Sequence, residues 1–286
     1  MKLLRLGPPN QERPTLLTPD GRYLDLTPLT PDLDRTFWLT DGPAKIRTAL
    51  EADTLPEIPP AEAATARIGA PIARPGKVVC IGLNYRDHAE ETGAPIPPRP
   101  VVFMKDPYTV VGPHDDILIP RGSVKTDWEV ELAVVIGKRA RYLASDAEAH
   151  AVIAGFAISN DVSEREFQLE RSGQWDLGKS CESFNPLGPW LVTPDEVPDC
   201  QKLSLRLAVN GVQHQDGNTE NMIFSVAEII RYLSQHMVLE PGDVINTGTP
   251  AGVALGIEGN PYLRAGDRVE LAIDGLGAQS SQLVPA

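Results

Sequence analysis

Cysteine, histidine and positive charge are all in short supply in this sequence, and each shortage removes a class of function. The cysteines, Cys80, Cys181 and Cys200, are odd in number and far apart. They form neither a disulfide framework nor a zinc spacing. Among five histidines, His114, His150, His214 and His236 share no ligand spacing and read as structural or exposed. Lysine and arginine number 26 against 39 aspartates and glutamates, a formal charge of −13. That balance argues against nucleic acid and against anionic membrane surfaces. No apolar run is long enough for a membrane helix, and Met1 to Leu6 lacks the apolar core of a secretory signal. A reducing cytoplasm is therefore the expected compartment. What is present is an ordinary globular composition, 42% hydrophobic and 23% charged over 286 residues. That length is enough to bury a real core.

Two regions are expected. Residues 1–70 read as a small N-terminal domain and linker. Lys2–Leu6, Thr15–Leu17 and Tyr23–Leu26 have strand character, Pro43–Ala52 helical character, and proline-rich sequence follows from Leu55. Residues 71–286 read as the main domain, with many short strands and few helices. The class this implies is α+β, mainly β. Asn210-Gly211 marks a hairpin. Ser225 to Glu228 is a capping box opening a helix with Val226, Ile229, Ile230, Leu233 and Met237 on one stripe.

The most informative stretch is Lys125 to Gly137, which reads as one strand. Trp128, Val130, Leu132, Val134 and Ile136 alternate onto one face, and Asp127, Glu129 and Glu131 onto the other. Two residues of a strand span roughly 6.5–7 Å, so Glu129 and Glu131 can reach one cation. Asp161 ends the apolar strand Ile153–Asn160, a common place for a ligand, although it could equally cap a helix over Val162–Arg171. Three carboxylates without a nearby histidine or cysteine make an all-oxygen site. Such a site favours Mg2+ or Mn2+, with Ca2+ a further option, over zinc.

Several blocks together resemble the fumarylacetoacetate hydrolase family. They are Ile81-Gly82-Leu83-Asn84-Tyr85-Arg86-Asp87-His88, the Glu129/Glu131 strand, Asn160 to Arg165, Gly178-Lys179-Ser180, and Gly242 to Val253. They occur in the family's order and span roughly residues 70 to 286. The run Arg165 to Arg171 resembles a bacterial branch often labelled ureidoglycolate lyase, which includes hydrolases of diketo-deoxy sugar acids such as 2,4-diketo-3-deoxyrhamnonate. The resemblance implies a rolled mixed β-sheet domain beside a small N-terminal α/β domain, a divalent cation, a homodimer, and a small 2-oxo acid as substrate.

The residues then suggest a chemistry. A 2,4-dioxo acid can chelate a cation held by Glu129, Glu131 and Asp161, and cleavage of C3–C4 expels a pyruvate enolate. Lys179 can place a second positive charge there; otherwise it is a surface lysine. His88 and Glu91 share a face if Tyr85–Glu91 is helical, so Glu91 can orient the imidazole as a general base. Glu90 competes for that partnership. By resemblance Arg165 and Gln168 face the substrate, although Arg165 could be a structural ion pair with Glu129 or Glu166. Thr249 is expected to offer its hydroxyl and N–H to a carboxylate. Tyr108 is expected to line the pocket or to anchor a loop. Acyl specificity is expected in loops around residues 86–100 and 252–264. The leading reaction is C–C hydrolysis to pyruvate and a carboxylic acid. Oxaloacetate decarboxylation or 2-oxo diacid isomerisation through the same enolate is the alternative, with ureidoglycolate cleavage and non-catalytic 2-oxo acid binding behind it.

Overall fold

A computed structural model describes residues 1–286. The architecture is α+β and mainly β, built on two sheets. The larger sheet has twelve strands. Its central path runs Lys2–Leu6, Asn185–Val192, Ile153–Asn160, Val130–Ile136, Val244–Asn246, Val78–Gly82 and Val101–Lys105. Neighbours on that path are antiparallel except Val244–Asn246 and Val78–Gly82, which run parallel, so the sheet is mixed. The second sheet has five strands and includes Ser204–Val209, Arg268–Ile273 and Gly277–Pro285.

Val130–Ile136 lies at the centre, and all seven of its residues are buried. Its period-2 pattern feeds two cores, one on each side of the sheet. Trp128, Val130, Leu132, Val134 and Ile136 pack with Leu205 and Leu271 of the second sheet and with Ile229, Ile230 and Leu233 of the helix Val226–His236. Ala133 and Val135 face the other way, toward Phe37, Trp38 and Ile46 of the N-terminal segment. That segment also joins the sheet directly, through Lys2↔Val192 and Leu3↔Leu191. The local signals act as their chemistry requires. Ser225 Oγ accepts the Glu228 N–H, and Asn210 and Gly211 take φ of 51° and 79° in the hairpin turn. No helix is long and apolar enough to cross a membrane.

Three expectations need correction. The stretch Lys125–Gly137 is not one strand. Thr126–Asp127 pairs with Ser163–Glu164 in a separate ladder, and the long strand begins at Val130. The break has a local cause: the Asp127 carboxylate accepts the N–H groups of Trp128, Ala254 and Leu255, which turns the backbone. Val162–Arg171 is likewise not one helix. Glu164 is drawn into that ladder and bonds Ser123 Oγ and the Lys125 N–H, and a π-helical turn, Glu166–Arg171, follows. Lys179 is not a surface lysine. It closes a short helix, Asp176–Lys179, and is buried.

Candidate active site

Strand register builds the site. Val130 pairs with Asn160, and the Asp161 N–H extends the ladder to the Glu129 carbonyl at 3.0 Å. Asp161 therefore stands beside Glu129, while the pleat sends Glu129 and Glu131 to the same side. The next strand pairs Ala133 with Asn246 and exits into Thr247-Gly248, where the Gly248 N–H donates to Glu131 Oε2 at 2.7 Å. Gly248 has φ of +99°, and a Cβ there would lie 2.8 Å from Asn84 Cβ, so glycine is required. One ligand oxygen from each of Glu129, Glu131 and Asp161 lies within 4.8 Å of the others, and all three residues are buried.

Buried carboxylates demand compensating charge. Lys179 Nζ donates to Glu129 Oε2 at 2.8 Å and to Asp161 Oδ2 at 3.0 Å. Lys105 Nζ donates to Asp161 Oδ1 at 2.5 Å and to the Val162 carbonyl at 3.0 Å. Arg165 donates from Nε to Asp127 Oδ2, and its Nη2 lies 2.8 Å from Glu129 Oε1. Glu131 alone has no cationic partner; its one contact is the Gly248 N–H. The carboxyl groups divide accordingly. Burial opposes charge on Glu129, but Lys179 and Arg165 outweigh it and hold that group at about 2. Burial pushes Glu131 well above the carboxylate range, and the Asp161 and Glu129 charges push the same way. Burial also opposes charge on Lys179, yet Asp161 and Glu129 keep it above the ordinary lysine value.

Four buried carboxylates (Asp127, Glu129, Glu131, Asp161) thus face three buried cations (Lys105, Lys179, Arg165). The group is one positive charge short, and the shortfall lies at Glu131. Closely grouped hard oxygen donors lacking a cation suit Mg2+, Mn2+ or Ca2+. The triad can hold a divalent metal.

The short helix Arg86–Glu91 borders the same pocket. His88 Nδ1 lies 3.2 Å from Glu91 Oε2, and Glu91 Oε1 accepts the Gly252 N–H at 2.9 Å. Glu90 is exposed, so the structure pairs His88 with Glu91. The pocket encloses about 190 Å³ and brings together His88, Glu129, Glu131, Arg165, Gln168, Lys179 and Thr249.

Other placements differ from expectation. The Thr249 hydroxyl donates to the Val130 carbonyl and accepts from Gln215 Nε2, so it is already committed within the protein. Gln168 Oε1 accepts from Arg165 Nη1. Arg165 is a structural ion pair, with Asp127 as well as Glu129. Tyr108 does not line this pocket. It is 72% exposed beside a separate cavity of about 560 Å³, under the Arg74 guanidinium, and Asp106 anchors its backbone N–H. Two residues of the cluster escaped the sequence reading. Lys105 ends the strand Val101–Lys105, and its i, i+2 relation to buried Phe103 was the available signal. Asp127, which the alternation sets beside Glu129 and Glu131 but leaves without a role, fixes Arg165.

Known proteins share this fold and much of this sequence. A curated relative from Burkholderia multivorans is 54% identical over 280 residues, covering 98% of this chain and 97% of its own, and is named only "Putative hydrolase". Maleylpyruvate hydrolase from Sphingobium sp. SYK-6, solved with manganese(II) and pyruvate, is 27% identical with a TM-score of 0.80, and all of both chains is covered. The 5-carboxymethyl-2-hydroxymuconate delta-isomerase from Mycobacterium smegmatis is 30% identical with a TM-score of 0.78, covering 100% of this chain and 99% of its own. None of these names points to the diketo-deoxy sugar acid or ureidoglycolate branch. The model of the fumarylacetoacetate hydrolase C-terminal domain matches residues 77–284, well over half of the sequence, and the chain belongs to the fumarylacetoacetate hydrolase family.

Proposed function

We propose that this protein is a divalent-metal-dependent hydrolase that cleaves the C3–C4 bond of acylpyruvate-like 2,4-dioxo acids, giving pyruvate and a carboxylic acid. One observation carries the reading: the His88–Glu91 pair sits on a short helix beside the pocket lined by Glu129 and Glu131 of the triad, with Asp161 buried behind them. A triad alone serves any metal–enolate chemistry, whereas a positioned imidazole can also activate water.

A cation on the triad would supply Lewis-acid stabilisation of enolate charge. The protein's own groups do the rest. Glu91 accepts from His88 Nδ1–H and leaves Nε2 to take a proton from water. The water oxygen attacks C4, the C3–C4 bond breaks, and its electron pair passes to the pyruvate enolate. A proton then returns to C3. Lys179 holds fixed positive charge at the edge of the pocket where negative charge develops. The manganese and pyruvate named for the Sphingobium hydrolase agree with this substrate class and cofactor.

A second reading is isomerisation or decarboxylation through the same enolate, which the Mycobacterium isomerase favours. Pyruvate release separates the two. The substrates are acetylpyruvate and oxaloacetate, tested after chelation and again with Mg2+ or Mn2+ restored. Hydrolysis predicts metal-dependent pyruvate and acetate in equal amounts from acetylpyruvate. Pyruvate and carbon dioxide from oxaloacetate alone would exclude it.

A further inference from the structure

We infer that the acyl end of this pocket selects short, uncharged, apolar acyl groups, and that Phe103 and Trp175 make the selection. The inference rests on the 2-oxo acid reading above and names its substrate class.

The charges around the pocket are unevenly placed. The charged side chains lining it are His88, Glu129, Glu131, Arg165 and Lys179. All belong to the His88–Glu91 pair or to the carboxylate–lysine cluster. The only arginine already serves Asp127 and Glu129. No free cation remains for a second substrate carboxylate, and a buried carboxylate without one is strongly disfavoured. Neutral polar groups are equally committed. The Thr92 hydroxyl donates to the His88 carbonyl, and the Thr249 hydroxyl donates to that of Val130. Gln168 keeps only its amide N–H groups for a ligand. A polyhydroxylated chain would lose its water here and regain few partners.

The remaining wall is apolar and built to stay in place. The Phe103 ring centroid lies 5.0 Å from Lys179 Nζ, so hydrophobic surface starts beside the reacting end. Trp175 meets Phe103 edge-on, with ring centroids 5.4 Å apart and planes at 64°. The Met104 N–H donates to Asp176 Oδ1 at 3.1 Å and ties the start of the Trp175 helix to the Phe103 strand. On the other side, Gly82 gives the indole its seat: a Cβ there would lie 2.5 Å from the Trp175 ring. Leu83 and Leu255 continue the wall. At about 190 Å³ the cavity is below the ~300 Å³ at which pockets for drug-sized ligands begin, so the acyl group is short. This separates the chain from the diacids named for its solved neighbours.

The test uses the Mn2+-loaded protein with acetylpyruvate, butanoylpyruvate, fumarylpyruvate and a 2,4-dioxo-3-deoxy sugar acid. We expect kcat/KM for butanoylpyruvate to exceed each of the others by about tenfold or more, the discrimination an apolar pocket gives per methylene. Trp175→Ala should cut the butanoyl-to-acetyl ratio about tenfold. Gly82→Ala, which drives the indole into the cavity, should lower that ratio too. A binding measurement on the wild type stands apart from turnover: 2-oxohexanoate should protect against thermal unfolding at about tenfold lower concentration than 2-oxoglutarate. Hydrolysis with preference for the diacid or sugar acid would overturn this inference and leave the hydrolase reading intact. Tighter 2-oxohexanoate binding with no hydrolysis of any substrate would support the pocket and overturn the hydrolase reading. Equal or reversed binding would overturn the inference whatever the turnover.

Discussion

The protein holds two clusters of acidic and basic side chains, one half-buried and one fully buried, and they are resolved in opposite ways. One joins the N-terminal strands to the main domain. Arg5 grips Asp32 through two nitrogens, at 2.6 and 2.8 Å, and also reaches Glu12; Arg67 takes the other Glu12 oxygen and both oxygens of Asp115. Every carboxylate there has an arginine. The other cluster is the Glu129/Glu131/Asp161 group, where lysines and Arg165 serve two carboxylates and leave Glu131 with a single backbone N–H. The larger cavity, about 560 Å³, lies at the first cluster, and the smaller one at the second. Neither buried charge nor cavity size therefore marks a site here. An unanswered carboxylate does.

The largest expected effect breaks this contrast at its centre. Glu131→Gln keeps shape and can still accept the Gly248 N–H. It removes a donor the cation needs, so kcat/KM should fall by more than about 10³-fold, the scale of several kcal/mol of Lewis-acid stabilisation. The folded protein without metal should be no less stable, because a carboxyl that burial and like charge keep from ionising contributes no ion pair. Thermal melts with and without Mn2+ check both parts. The metal-dependent rise in Tm should vanish while the metal-free Tm holds.

The matching test in the other cluster should give the reverse. Arg5→Met removes one partner from a set that has no spare cation. Stability should fall by about 3 kcal/mol, near the lower end for breaking a buried pair because Asp32 still reaches water. Turnover per folded molecule should stay unchanged. Urea denaturation and kcat/KM on the same preparation measure the two. A variant that lost activity with its stability intact would show that this network reaches the active site.

What could be read in advance follows the same divide. The alternation from Trp128 to Ile136 is a local pattern, and the fold uses it to feed two cores. The hairpin at Asn210-Gly211 and the cap at Ser225 are local as well. Asp161 could be placed at the end of an apolar strand, since strands are legible in composition. Lys105 could not be placed, because a lysine in a short strand is ordinarily a solvated one. Its burial depends on a partner 56 positions away. For Tyr108 the loop-anchor alternative stands and the pocket role does not, because Asp106-Pro107-Tyr108 does not say which side of the sheet the loop turns to. For Arg165 the ion pair with Glu129 was legible as an alternative, but its second partner, Asp127, 38 residues earlier, was not.

Glu91 is the case that sharpens the contrast. Like the arginine-bound carboxylates it has both oxygens occupied, one by Gly252 N–H and one by His88. Unlike them it supports a pocket-lining group, His88. If full satisfaction made a carboxylate merely structural, Glu91→Gln would lower stability and spare kcat. We expect the opposite balance. A glutamine has one acceptor oxygen where Glu91 uses two, so it can keep the Gly252 bond or orient His88, but not both. Losing the orientation should lower kcat about 10²-fold, part of what a positioned general base supplies. Substrate KM should change little, since Glu91 bonds to the imidazole and the loop. Glu90→Gln, one residue away and exposed, should leave kcat at the wild-type value. If both variants behaved alike, Glu91 would belong with the structural pairs, and His88 would be acting without it.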